Sequence, residues 1–284
     1  MISLLIGVIG LVFGSFVNAC VWRLRQQDEL TEPNKKKKVT HKKQPSKQDL
    51  SILHGRSMCP NCHHTLAAKD LVPVLSWLQL RGKCRYCHVA ISWQYPVVEL
   101  LTALLFVVSY LLWPMGFTGI GIAQLVLWLA IIVCFMVLVV YDIRWTELPD
   151  EVVFTSIGLS VGIVLLEVVK TRLFETLWLP LVAMLLYAGL FFLLHARSKG
   201  AWLGFGDVKL ALALGLLAAS PLGVLLSLFL ASLIGLIANL PLLIKTGKHG
   251  MKQQVPFGPA LIFAAITVVL AGGHIITWYE SLFI

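Results

Sequence analysis

Two aspartates at the ends of apolar runs are the residues best placed to do chemistry. Asp142 follows about twenty uncharged residues and ends the stretch Val139-Val140-Tyr141, while Asp207 follows Leu203-Gly204-Phe205-Gly206 and precedes an apolar run. An ionisable group at membrane depth is costly and marks function by default. Taken singly, Asp207 is a helix N-terminal carboxylate favoured by the dipole, and Asp142 a partner for Arg144. Their shared depth, and the glycines before Asp207 that admit a close backbone, favour a facing pair. Such a pair shares one proton, because adjacent like charges push one pKa up. One carboxylate then acts as base on water while the other, protonated, polarises a peptide carbonyl. Glu99, placed in the first turn of a span, either caps that helix or lines the site, and Asp150, after Leu148-Pro149, opens the next helix. No Ser/His/Asp ordering, HExxH or phosphate-cradling glycine loop occurs.

The second cluster is Cys59-x-x-Cys62 and Cys84-x-x-Cys87, with 21 residues between the pairs. Two such knuckles converge four thiolates on the tetrahedral shell that zinc prefers, and a closed four-sulfur shell leaves no position for water, so the metal is structural. Two disulfides are the alternative, disfavoured in a reducing cytoplasm. His63, His64 and His88 are spare donors, and Cys20 and Cys134 lie in apolar runs as packing residues.

The elements that must position these groups are membrane helices. Of 284 residues, 58% are hydrophobic and 13% charged, far from the quarter charged of soluble domains. The apolar residues come in blocks near the ~20 residues that cross a bilayer, without the alternation of a β-barrel. The reading is an all-α polytopic protein with about eight transmembrane helices, near 2–22, 97–116, 121–141, 151–169, 176–195, 207–219, 222–244 and 256–278. The sixth, about 20 Å long at ~1.5 Å per residue, is read as short, tilted or re-entrant. The first block has no basic residues before it and no small-residue cleavage site after it, so it reads as a retained helix.

With an external amino terminus, 21 of the 23 Lys and Arg fall on one side, leaving Lys170 and Arg172 on the other. That asymmetry assigns the rich side, which carries Asp142 and Asp207, to the cytoplasm. The net charge of +9 therefore reports orientation and not nucleic-acid binding. Three parts follow: a first helix over 1–22, a cytoplasmic loop over 23–95, and a membrane-embedded unit over 96–284. Within the loop, 26–57 is a lysine-rich insert with too little apolar content for a core, and 58–92 carries the knuckles. The insert is read as a spacer attracted to anionic headgroups, or as a docking arm.

At these residues the chain resembles the type IV prepilin leader peptidases, bacterial Gly-x-Gly-Asp aspartic proteases. The shared pieces are Gly14-Ser15-Phe16-Val17-Asn18 with Arg23, both knuckles, Arg81-Gly82-Lys83-Cys84-Arg85, Tyr95-Pro96-Val97-Val98-Glu99, Asp142 with Leu148-Pro149-Asp150, and Gly204-Phe205-Gly206-Asp207-Val208-Lys209. The resemblance implies that Asp142 and Asp207 are the catalytic pair, supported by Gly204, Gly206, Lys209, Asp150 and Glu99. It implies prepilin and pseudopilin substrates, cut between a basic leader and a hydrophobic helix at the cytoplasmic face of the bacterial inner membrane. It also implies, for some members, S-adenosylmethionine-dependent methylation of the new amino terminus. Two departures are the lysine-rich insert and Arg25, where the family often has Pro.

A presenilin-like intramembrane protease would share the aspartate chemistry but gives no reason for the cysteine loop. A proton-relaying transporter would hold its carboxylates near the midplane instead of at one face. The charge asymmetry makes a prediction. Reporter fusions at Lys38 and Lys248 should be cytoplasmic and one at Thr118 external, and an external Lys38 reporter would reverse the orientation.

Overall fold

The computed structural model describes residues 1–31, 50–52, 54–246 and 256–282. Among them are nine α-helices: α1 (Ile2–Thr31), α2 (Leu75–Gln79), α3 (Gln94–Leu111), α4 (Gly119–Trp145), α5 (Asp150–Thr171), α6 (Trp178–Ser198), α7 (Phe205–Ala218), α8 (Pro221–Thr246) and α9 (Gly258–Glu280). Helices dominate because no water in a bilayer core can satisfy backbone polar groups, so each span must bond within itself. Seven of the nine, all but α2 and α7, are long and apolar enough to cross a membrane. The 14 residues of α7 reach only about 21 Å at ~1.5 Å per residue, close to the length read from the sequence for the sixth helix and short of a ~30 Å hydrocarbon core.

The chain forms two compact units, Met1–Tyr110 and Leu111–Ile284. In the first, α1 lies against α3 along a glycine stripe. A Cβ added to Gly10 would sit 2.6 Å from Ala103 Cα, and one added to Gly14 would sit 2.6 Å from Glu99 Cα. Small residues let the two backbones approach where apolar burial offers no net drive, since lipid is as apolar as the partner helix. α1 runs on to Thr31, past the expected end at 22, so 26–31 are helical where an unstructured insert was expected. The core of that insert, 32–49, lies outside the described residues. Leu50, just after it, is fully buried, and Gln27 Nε2 donates to its carbonyl at 2.8 Å, which ties the chain back onto the end of α1.

In the second unit, α4 packs against α5 and α9, and α7 packs against α5, α6 and α9. α4 is the most enclosed span, with Trp128, Ile131, Ile132, Phe135 and Leu138 fully buried. α7 is buried along most of its length, and Gly215 lets it meet α6 backbone to backbone, since a Cβ there would fall 2.5 Å from Met184 Cα. Outward-facing Leu185, Leu193, Leu225 and Phe229 supply the lipid surface. Buried polar groups find partners: Gln124 Nε2 donates to Glu167 Oε2 at 2.9 Å, and Ser160 Oγ to Ser156 O at 2.8 Å. The short α7 is enclosed by α5, α6 and α9, which hold its Asp207 end in place.

Candidate active site

Asp142 stands in the last turn of α4 and is 6% exposed. Its Oδ2 accepts the Gly258 N–H at 2.9 Å. Gly258 is the first residue of α9, so the carboxylate faces one of the orphan amides and the positive dipole end of that helix. A Cβ at position 258 would fall 2.6 Å from Asp142 Oδ2, and only glycine leaves room for the bond. Arg144, the alternative partner, instead lies with its guanidinium 5.7 Å from the Trp145 ring centroid.

Asp207 is the third residue of α7, whose N-cap is Gly204. Its carboxylate bonds back to the Gly204 backbone amide, as the acidic residue of a capping box does. Asp207 is thus a helix-terminal carboxylate, and it lies near enough to Asp142 for the two charges to act on each other. Asp142 ends one helix and Asp207 begins another, which puts them at the same end of the unit despite 64 intervening residues.

The supporting residues assemble around Asp207. Lys209 forms an ion pair with the exposed Asp150, the residue that opens α5, and lies 5.4 Å from the Phe205 ring centroid and 5.8 Å from that of Phe154. A Cβ on Gly206 would meet the Leu148 side chain at 3.2 Å. Leu148 and Asp150 belong to the turn after α4, which Thr146 starts in the left-handed region (φ 53°) with its N–H donating to Asp142 O at 2.8 Å. The α4–α5 turn is therefore docked on the start of α7. Ahead of α7, His195 Nδ1 lies 2.8 Å from Leu203 O. A carbonyl can only accept, so this ring is protonated at Nδ1 and pins the loop.

Glu99 belongs to the first unit. α3 begins at Gln94, earlier than expected, so Glu99 lies in the second turn and is no helix cap. It is buried in the first unit, and its Oε2 accepts the Val74 N–H at 2.7 Å. Val74 has φ 61°, a left-handed conformation that a β-branched residue adopts only when held there. Gly258, by contrast, escaped the sequence reading. Its signal was Pro256-Phe257-Gly258-Pro259, a loop end followed by a glycine and a proline in the first helical turn.

The cysteines converge. The Sγ atoms of Cys59, Cys62, Cys84 and Cys87 all lie within 4.8 Å of one another. The Cys59–Cys87 separation is 3.8 Å, the edge of a tetrahedron with ~2.3 Å metal–sulfur bonds and well beyond the ~2.05 Å of a disulfide. The two knuckles are built alike. His63 N–H donates to Cys59 O and His88 N–H to Cys84 O, with His63 and His88 both left-handed at φ 55° and 56°. Isolated bridges Met58–Thr65 and Lys83–Ala90 close each loop. The histidines thus make the turns, and the four sulfurs alone form the cluster. Burial pushes Cys59 up to about 12, while the Val89 amide draws Cys87 down to about 6. A divalent ion among them would hold all four as thiolates.

These features define a polytopic membrane protein with a helix-terminal aspartate pair and a separate four-cysteine unit. Residues 8–113 match the Bacterial Peptidase A24 N-terminal domain and residues 128–240 the Type IV leader peptidase family. The chain is 34% identical, over 92% of its length and 90% of the relative's, to the type 4 prepilin-like proteins leader peptide-processing enzyme of Escherichia coli O78:H11 (strain H10407 / ETEC). It is 32% identical to the prepilin leader peptidase/N-methyltransferase of Aeromonas salmonicida (strain A449), over 98% and 93%, and 36% identical to that of Pectobacterium carotovorum subsp. carotovorum, over 74% and 72%. The chain belongs to the type IV leader peptidase family. No solved structure matches it.

Two predictions arise from this geometry. Gly258→Ala should displace the Asp142 carboxylate and lower peptide cleavage roughly 10²-fold, as ångström misplacements do, in protein that still inserts and resists trypsin like wild type. Metal analysis should find about one zinc per chain, lost in Cys59→Ser/Cys62→Ser. Full zinc content in that double variant would refute the ligand assignment.

Proposed function

We propose that this chain is an aspartic endopeptidase that cleaves prepilins and pseudopilins at the cytoplasmic face of the bacterial inner membrane and N-methylates the new amino terminus. The observation that carries the peptidase reading is Asp142, buried, supplied with one backbone donor by Gly258 and coupled electrostatically to Asp207. Two carboxylates so coupled hold one proton between them. The ionised member takes a proton from water as the oxygen attacks the scissile carbonyl carbon. The protonated member hydrogen-bonds the carbonyl oxygen, and a proton then passes to the leaving amine as the C–N bond breaks. Each carboxylate accepts one backbone amide, Gly258 on Asp142 and Gly204 on Asp207, so the shared proton belongs to the pair.

The relatives' names support the substrate class and the methyl transfer. The 21-to-2 division of basic residues supports the cytoplasmic side. Zinc in the cysteine cluster is structural in this reading, since four thiolates fill its shell, and S-adenosylmethionine is the methyl donor.

Asn keeps the shape of Asp but cannot cycle a proton. Asp142→Asn and Asp207→Asn should each lower cleavage of a purified prepilin by roughly 10²–10⁴-fold. The double variant should be scarcely worse than either single one, because the two act as a unit. Asp150→Asn, which removes only the partner of Lys209, should be milder. Near-normal cleavage by either dyad variant would overturn the assignment and turn attention to Asp150 and then Glu99.

A further inference from the structure

The loop between α6 and α7, residues 199–204, gathers on one residue, His195 in the last turn of α6. The His195 carbonyl accepts the Gly200 N–H at 3.0 Å and the Ser198 hydroxyl at 3.2 Å, and the Trp202 N–H donates to that hydroxyl at 3.3 Å. The ring binds the rest of the loop. Its Nδ1–H donates to Leu203 O at 2.8 Å, and its centroid lies 5.4 Å from that of Phe205, the first residue of α7. Gly200, at φ 81°, lies against the ring, and a Cβ there would meet Cε1 at 3.4 Å.

The bond to Leu203 gains meaning from the other end of the same peptide group. The Leu203 carbonyl and the Gly204 N–H belong to one planar trans unit, in which oxygen and hydrogen point in opposite directions. That N–H is the donor that the Asp207 carboxylate accepts. A continuous line of hydrogen bonds therefore runs from the imidazole, across one peptide, to Asp207. Gly204 has no Cβ to restrict the rotation of this peptide, and as the N-cap of α7 it makes no side-chain bond. Holding the oxygen fixes where the hydrogen aims. It also polarises the peptide, which makes the N–H a stronger donor, as hydrogen bonds in chains do.

We propose that His195 is a positioning residue for peptide cleavage, holding the Leu203–Gly204 peptide so that its N–H stays on the Asp207 carboxylate during turnover. The inference rests on the peptidase part of the proposed function. The two aspartates are then served alike by backbone amides but secured differently. The Gly258 amide on Asp142 is set by the start of α9, whereas the Gly204 amide on Asp207 comes from a loop end and needs the imidazole to fix it. His195 acts through the peptide and not on the substrate. Its loss should therefore fall on kcat and leave KM within about twofold, the pattern of an interaction that matters to the reacting groups and not to binding.

The test measures kcat and KM for a purified prepilin with full-length variants in detergent, each checked for insertion and trypsin resistance. His195→Phe keeps a ring beside Phe205 and Gly200 but removes the donor. It should lower kcat roughly 10- to 10²-fold, as small misplacements of reacting groups do. His195→Asn loses the ring but keeps an N–H one bond beyond Cγ, where Nδ1 stands. Its kcat should return to within about threefold of wild type, because the bond to Leu203 O is restored. A role in packing alone predicts the reverse order, with Phe the better replacement. A His195→Phe enzyme as fast as wild type would overturn the proposal. So would a folded His195→Asn enzyme as slow as His195→Phe, and this second arm holds even where the Phe variant does not accumulate. Asp142→Asn and Asp207→Asn are assayed in parallel. If they are inactive while His195→Phe is normal, the dyad stands and only the role of His195 falls; if they cleave normally, the peptidase reading itself fails.

Discussion

A carboxylate buried at the end of a membrane helix needs a donor, and in this protein the backbone amide of Gly258 provides it for Asp142. Much of the second unit can be understood from that one bond. For the amide to reach Oδ2, α9 must begin at the end of α4 and no side chain can stand at 258. The amide is an orphan of the first helical turn, so using it on Asp142 leaves no ladder bond broken. The packing of α9 on both α4 and α7 then carries the constraint from Asp142 to the helix that begins at Asp207.

Glycine recurs wherever two parts of either unit must come closer than a side chain allows. Gly10 and Gly14 bring α1 onto α3, Gly215 brings α7 onto α6, and Gly206 seats the start of α7 on Leu148. In water such contacts would compete with apolar burial by larger residues. In lipid that burial gains little, so close backbone packing and interhelical hydrogen bonds carry the association. The same need explains why Ser156, Ser160, Ser227 and the Gln124 amide nitrogen are fully buried yet bonded.

The first unit is organised differently. Its soluble part is too small to fold on apolar burial alone, and two knuckles with four converging sulfurs take the place of a core. Around them, Asp70 gathers Arg85, Tyr86 and the Ala67 amide, and the Trp77 and Trp93 rings lie 4.2 Å apart beside Gly82, where a Cβ would strike Trp77. Glu99 links this assembly to a membrane helix through Val74.

By itself the sequence determined the class of fold, because lipid solvation converts apolar run length almost directly into helices: of about eight expected spans seven are long and apolar enough to cross a membrane, and the eighth is the short α7. It also determined Asp142, Asp207 and the four cysteines as candidates, since charges at the ends of apolar runs and paired Cys-x-x-Cys spacings are rare without cause. Only the tertiary structure decided who meets whom. Lys209 reaching Asp150, Glu99 accepting the Val74 amide, and Gly258 capping Asp142 each join residues dozens to more than a hundred positions apart. No periodicity records such pairings. The helix ends shifted for the same reason: α1 runs nine residues beyond its expected end, and Gln27 there bonds the carbonyl of Leu50, a contact that hydropathy does not contain.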